Sequence, residues 1–564
     1  MPRPDASSPR LRAQRGAILL AILGLAVALR FAGLGFGLSP PDAGPVLHPL
    51  ARPDEQYLWN LGLGIAAGDP NPHFFLYPSL LPYLLALVDA IYLAGASLAA
   101  GSREAVEAAI LRDPRALIWI DRGLVAAIGA ATCLLLYRVA AEAFGRRVGL
   151  VAAFLLAIAH LHVRDSHFGV TDVPLAAMVC LVLLQALRIE SRGRPRDYLR
   201  AGLCAGLAIS TKYSGAILLV PIVAAHAVAR LAGAPRPLRW LLAAGALVPV
   251  GFLLGTPFAL LDTSSFAEGV NTQLLTQTLV NWIGVDLGSG WWHHLRFTLW
   301  HGLGPPLLAA SLVGAVLAPW RAPRAAAVLL AFAGAYYLVI GRGHLVFARY
   351  MVPLVPILCA TAALAVVALA RRLPRARLAA AFALAALLAL PSLRETIATN
   401  RVLARQDSRV AAARWLRSHV PPDATLLLVG AVFADPPLFL RGRKAYDPYP
   451  WPPRAFAGRL ALPQGPRFQR VRNALDPSFD ALASDPEIDF VVVEQSPLRA
   501  YGPSGTLERS LAGFRRVASF EGVGSDPELR FDLQDAFYLP LAGAARAPRP
   551  GPNVHVYARE APPR

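Results

Sequence analysis

Apolar runs recur along the first 393 residues, separated by short polar segments in which arginine dominates. Runs approaching 20 residues are long enough to cross a bilayer as helices. The first spans about 17–37. Others are expected at about 116–140, 149–163, 173–189, 199–211, 213–231, 239–260, 299–318, 325–340, 351–370 and 377–393, which makes eleven. The stretch Phe74 to Ala96 is equally apolar. If it crossed, Arg146-Arg147 would fall outside, against the positive-inside bias. We therefore expect 76–96 to lie along the outer surface, within a long first external loop, 38–115. Pro78, Pro82 and the aromatics Phe74, Phe75, Tyr77 and Tyr83 suit that interfacial position.

The pattern changes after residue 393. Charges, prolines and short β-like runs appear. Val402 to His419 reads as a helix, and Thr425–Val429, Asp489–Val493 and Val554–Tyr557 read as strands. The expected organisation is a transmembrane domain, 1–393, followed by a soluble α/β domain, 394–564. An odd number of spans from a cytoplasmic N-terminus puts that second domain outside. The fold class is thus a polytopic α-helical membrane protein with a C-terminal extracytoplasmic α/β domain. No internal repeat is apparent, which counts against a transporter built from inverted halves.

Composition sharpens this picture in three ways. Of 564 residues, 55% are hydrophobic, and the formal net charge is +19. The basic residues sit in short loops between spans, which marks topology and not nucleic-acid binding. Lysine is confined to Lys212 and Lys444, so Lys212, between two apolar segments, stands out. Cys133, Cys180, Cys204 and Cys359 all lie in apolar segments without CxxC spacing, so neither a disulfide framework nor a zinc site is expected. The N-terminal run follows Arg3, Arg10, Arg12 and Arg15, contains Arg30 near its far end, and reads as an uncleaved signal-anchor.

Candidate chemistry collects at the external ends of the spans. Asp54-Glu55 follows span one, within Arg52-Pro53-Asp54-Glu55-Gln56. Carboxylates there suit a base. They also suit a plain helix start, with Pro53 at the first position and acids in the first turn. The turn Arg164-Asp165-Ser166-His167-Phe168-Gly169-Val170-Thr171-Asp172 is dense in polar groups; helix capping explains Asp172 alone but not its neighbours. Lys212 is either a snorkelling side chain or an anion contact at a break between two half-helices, Thr211 to Gly215. His344, Arg349 and Tyr350 form a fourth group, with interfacial anchoring as the plain alternative. Arginine and lysine suit a phosphate through charge-assisted bonds. No Walker loop or dinucleotide glycine pattern is present.

In this order the residues resemble the GT-C superfamily of membrane glycosyltransferases. More narrowly, they resemble bacterial relatives of protein O-mannosyltransferases and of lipid A aminoarabinose transferases. The matching pieces are Arg52-Pro53-Asp54-Glu55, Tyr77-Pro78-Ser79-Leu80-Leu81, Phe144-Gly145-Arg146-Arg147, Thr171-Asp172-Val173-Pro174, Gly206 to Tyr213 and Phe347-Ala348-Arg349-Tyr350. The tail segments Asp535-Ala536-Phe537-Tyr538-Leu539-Pro540 and Arg549-Pro550-Gly551-Pro552 also look like endings found on some bacterial members. The resemblance implies a polyprenyl-phosphate-linked sugar donor, membrane lipid as medium, and a glycan, lipid or protein acceptor, in a bacterial inner membrane. It carries the catalytic base onto Asp54, with Glu55 beside it, and a second acidic site onto Asp172. Lys212 and Arg349 match positions expected near the lipid phosphate. Arg164, His167, Tyr213, His344 and Tyr350 are the further substrate-binding candidates. The lysine that aminoarabinose transferases show before the double proline is missing here, and His73 is the nearest substitute. No cofactor motif is present, and a divalent metal is left open. The rival reading is a transporter or flippase-type protein with an external ligand-binding domain; its acids would lie within the bilayer, not at span ends.

Overall fold

The computed structural model describes residues 9–38, 53–279, 285–371, 377–430, 435–438, 466–471, 479–495, 498, 511, 513–523, 526–535 and 537–560. Arg3, Arg52, Lys444 and Ala536 lie outside the described residues. The first eleven helices are α1 (Pro9–Phe31), α2 (Pro53–Ala66), α3 (Leu80–Ala100), α4 (Arg103–Arg112), α5 (Arg115–Phe144), α6 (Arg146–Ile158), α7 (His160–Asp165), α8 (Asp172–Ser191), α9 (Pro195–Thr211), α10 (Leu219–Leu231) and α11 (Leu238–Gly255). Among the described residues, eight helices are long and apolar enough to cross a membrane, or ten if each of two bent helix pairs is one span. The expected spans at 149–163 and 199–211 correspond to α6, of 13 residues, and α9, of 17, which are short for a full crossing. The apolar segment assigned to the surface forms α3, a 21-residue helix that is itself long and apolar enough to cross.

Two features show how polar groups and close approach are handled in this bundle. Ala159 adopts an extended conformation that ends α6 and separates it from α7. The carbonyls freed there need donors, because a membrane interior supplies no water. Arg30 of α1 provides them: it is fully buried and donates to Leu156 O at 3.0 Å and Ala157 O at 3.1 Å. Its remaining bonds run to Ala26 O at 3.1 Å and to His162 Nδ1 at 3.0 Å. Elsewhere α9 and α11 touch backbone to backbone. A methyl group added at Gly202 would lie 2.1 Å from Ala244 O, and one at Gly206 2.1 Å from Val248 O. The Gly-xxx-Gly spacing on α9 is the small-residue face that membrane helices use for close packing.

The C-terminal region holds a five-stranded sheet of β1 (Thr425–Val429), β2 (Arg467–Val471), β3 (Phe490–Gln495), β4 (Phe514–Phe520) and β5 (Asn553–Arg559), in the order β2-β1-β3-β5-β4. The β2-β1-β3 part is parallel, and β5 and β4 are antiparallel. Strand alternation gives two apolar faces. Leu426, Leu428 and Val492 pack with Ala412, Ala413 and Leu416 of the helix Ser408–His419. Leu427, Val429, Val491 and Val493 pack with Phe479 and Ala483 of the helix Phe479–Ser484. The helix expected over Val402 to His419 is divided: one helix ends at Leu403 and the next begins at Ser408. Asp407 causes the division. Its extended backbone and its side-chain bond to Arg409 N, at 2.9 Å, cap the second helix. β2 and β4 are strands beyond those expected from the sequence.

Candidate active site

Four separate elements bring charged side chains to one end of the bundle. Asp54 stands in the first turn of α2, where an acid is favoured by the exposed amides of the helix start. Asp172 opens α8. Thr171 makes no capping bond there, and Asp172 Oδ1 instead receives Lys212 Nζ at 2.6 Å. Lys212 occupies the break after α9: its backbone is extended, and a 3-10 turn, Tyr213–Leu218, follows. Arg349 belongs to a second 3-10 turn, Ala348–Leu354, and its guanidinium contacts the Asp54 carboxylate.

The two ion pairs are neighbours. Lys212 Nζ lies 4.9 Å from the centre of the Tyr350 ring, one residue from Arg349. Tyr77 is half-buried, in the field of Asp54, Arg349, Tyr350 and Asp172. Burial first, and the Asp54 charge next, hold its phenol well above the ordinary tyrosine range. Tyr77 is therefore a neutral hydroxyl donor at neutral pH. Arg349 and Asp172 are largely buried, and Asp54 keeps 22% of its side chain exposed. The arrangement offers two cations for an anion and one accessible carboxylate for a proton.

Other candidates have different partners. Glu55 is buried, accepts from Arg122 Nε at 2.7 Å and Nη2 at 2.9 Å, and also accepts from Gly169 N at 2.9 Å. Arg122 further donates to the carbonyls of Leu34 and Phe36. Glu55 thus ties α2 to α5 and to the turn before α8. His167 places its ring nitrogens 2.9 Å from Val163 O and 2.9 Å from Ala32 O, and burial lowers its pKa. Arg164 donates to Leu539 O at 3.0 Å and lies 4.5 Å from the Phe537 ring centre. Tyr213 donates to Phe75 O at 2.8 Å. His344 meets Asp286 at 3.0 Å, and that contact is the main reason the Asp286 pKa is lowered. His73 sits in a loop with Asp69 and Asn71, 3.7 Å from Asp262, which caps the helix Thr263–Gln277. Among the described residues no group of three or more His, Cys, Asp or Glu side chains is arranged to hold a metal ion.

Sequence reasoning missed three contributors. Tyr77 was read as an interfacial aromatic. Arg122 is a charge inside an apolar span, a signal that such residues have partners. The third is the docking of Asp532 to Leu541 against the bundle: the resemblance at Asp535 to Pro540 marked the segment but gave it no place at the site. Gln534 Oε1 accepts from Val346 N at 2.8 Å, and its Nε2 donates to Val285 O and His344 O, each at 3.0 Å. Asp532 Oδ2 accepts from Ala348 N at 2.6 Å, next to Arg349.

Residues 118–254 match the family model described as dolichyl-phosphate-mannose-protein mannosyltransferase. No protein among the curated sequences matches the chain. Among solved structures, the chain is similar to ArnT from Cupriavidus metallidurans bound to undecaprenyl phosphate, at 17% identity and a TM-score of 0.51, covering 99% of this chain and 100% of that one. It is also similar to the oligosaccharyltransferase AglB from Archaeoglobus fulgidus in complex with an inhibitory peptide and a dolichol-phosphate, at 15% identity and a TM-score of 0.51, covering 95% and 77% respectively. At these identities the likeness is one of fold: the chain has the GT-C membrane fold, and the relatives found by sequence and by structure are glycosyltransferases.

Proposed function

We propose that this GT-C glycosyltransferase moves a sugar from a polyprenyl-phosphate donor to an acceptor hydroxyl, at the outer face of a bacterial cytoplasmic membrane. The observation that supports this best is the double pairing, Asp54 with Arg349 and Asp172 with Lys212, gathered beside Tyr77 at the helix ends. Two cations suit the lipid phosphate, and the solved structures with undecaprenyl phosphate and with dolichol-phosphate share this fold. Asp54 accepts the proton of the acceptor hydroxyl. The acceptor oxygen forms the new bond to the anomeric carbon, the bond from that carbon to the phosphate oxygen breaks, and its electron pair leaves with the polyprenyl phosphate. Attack from the face opposite the phosphate inverts the anomeric centre. A phosphate is already a good leaving group, so Lys212 and Arg349 need only stabilise the charge that collects on it. Asp172 holds Lys212 in place.

In this reading α3 lies along the outer surface, and the sheet domain, 394–564, is extracytoplasmic. The test of the chemistry is sugar transfer in membranes by Asp54→Asn, scored against protein level. Asparagine keeps the size and hydrogen-bonding shape but cannot take the proton. Activity should fall by about 100- to 10,000-fold, with yield near wild type. Activity within a few-fold of wild type would falsify the assignment of Asp54 as base.

A further inference from the structure

Arg349 faces a second carboxylate besides Asp54. Asp535 lies 4.0 Å from its Nη1, almost fully buried. Asp535 is not part of the bundle: it arrives on the docked C-terminal segment, and that segment is pinned on both sides. Gln534 and Asp532 bond the backbone that carries Arg349. Downstream, Arg164 takes Leu539 O, Phe537 packs 4.8 Å from the Phe168 ring, and Tyr538 OH donates to Glu494 of β3 at 2.6 Å. Asp535 therefore stays in place when another anion reaches Arg349.

Three carboxylates, Asp54, Asp172 and Asp535, then stand against two cations, Lys212 and Arg349, and behind Asp535 lie a fourth carboxylate, Asp532, and the Arg164–Asp165 pair, so the excess of negative charge remains. A site built only to bind phosphate would not carry that excess. The reaction supplies a reason. The donor is a phosphodiester with one negative charge. The product is a phosphomonoester, whose second ionisation near pH 6 brings it to about −1.5 to −2 at neutral pH. Two cations alone would hold the product more tightly than the donor. A fixed carboxylate repels each added charge, so it weighs more against the product.

We propose that Asp535 is a positioning residue, supplied by the C-terminal domain, which holds Arg349 and disfavours the doubly charged polyprenyl monophosphate relative to the singly charged donor. The inference rests on the polyprenyl-phosphate reading of the site. The closeness of Asp532 fits it: burial, and the Asp535 charge after it, push that carboxyl up to about 6.

The test compares binding of undecaprenyl phosphate and of its methyl phosphodiester to the full-length protein in detergent at pH 8, by microscale thermophoresis. Wild type should bind the diester at least as tightly as the monoester. Asp535→Asn should bind the monoester about tenfold more tightly than wild type does, the size of a one-unit charge effect at this range, with a smaller gain on the diester. Asp535→Glu should behave like wild type, and Arg349→Ala should weaken both lipids. A folded Asp535→Asn protein with unchanged or weaker monoester binding overturns the inference, as does an equal gain on both lipids. A wild type that prefers the monoester several-fold overturns it without any variant. A wild type that binds neither lipid sinks the donor reading itself, and the inference with it.

Discussion

Asp54 and Glu55 are adjacent on α2 but lead into different regions. Glu55 points into a closed region: buried, held bidentately by Arg122, and bonded by Gly169 N. Arg122 spends its remaining donors on backbone carbonyls. The Glu55 carboxylate and the Arg122 guanidinium are there bound to each other and to backbone groups. Asp54 points into an open region: partly exposed, paired with an arginine that also faces Asp535, and close to Asp172, Lys212 and Tyr77. A carboxylate that shares its cation can exchange it for an incoming phosphate. One whose bonds are saturated can only hold helices together.

The comparison breaks first at Asp54. Its asparagine variant should lose about 100- to 10,000-fold in sugar transfer while thermal unfolding stays within a few degrees of wild type. The opposite signature is expected for Arg122→Ala, which strands a buried Glu55 charge and should cost about 3–5 kcal/mol of stability. Thermal unfolding and membrane yield report it; an Arg122→Ala protein as stable as wild type would erase the distinction between the two regions. Lys212→Ala or Arg349→Ala should weaken binding of undecaprenyl phosphate by roughly 10- to 100-fold, the range for losing a charge-assisted contact, and should also lower the unfolding temperature, because each strands a buried carboxylate, Asp172 or Asp535. Unchanged affinity in both variants contradicts the phosphate assignment. The mildest perturbation is a cysteine introduced between residues 103 and 112. It should leave activity intact and react with an impermeant reagent from outside the cell; labelling from the cytoplasmic side alone would place α3 across the membrane and undo the surface assignment.

Much of the fold could be read along the chain. The break at Lys212 was legible because Thr211-Lys212-Tyr213-Ser214-Gly215 interrupts an apolar run, and a lysine in lipid needs a partner. Strands β1, β3 and β5 were legible as β-branched and leucine-rich runs between turn residues. β2 was not, since Arg-Phe-Gln-Arg-Val carries two arginines and draws its stability from pairing with β1. The division of the helix at Asp407 was hidden because Val402 to His419 keeps a helical pattern through the cap.

The sequence by itself determined that this is a helical membrane protein with a mixed α/β region at its C-terminus, and that Asp54, Asp172, Lys212 and Arg349 stand at the ends of apolar runs. Hydrophobic length and charge placement are local properties, so they survive without coordinates. Only the tertiary structure decided which acid meets which cation: Asp172 with Lys212 across 40 residues, Asp54 with Arg349, and Glu55 with Arg122 across 67. It alone brought Asp535 from the far end of the chain to within 4.0 Å of Arg349. Ion pairing depends on distance and burial in space, and spacing along the chain encodes neither.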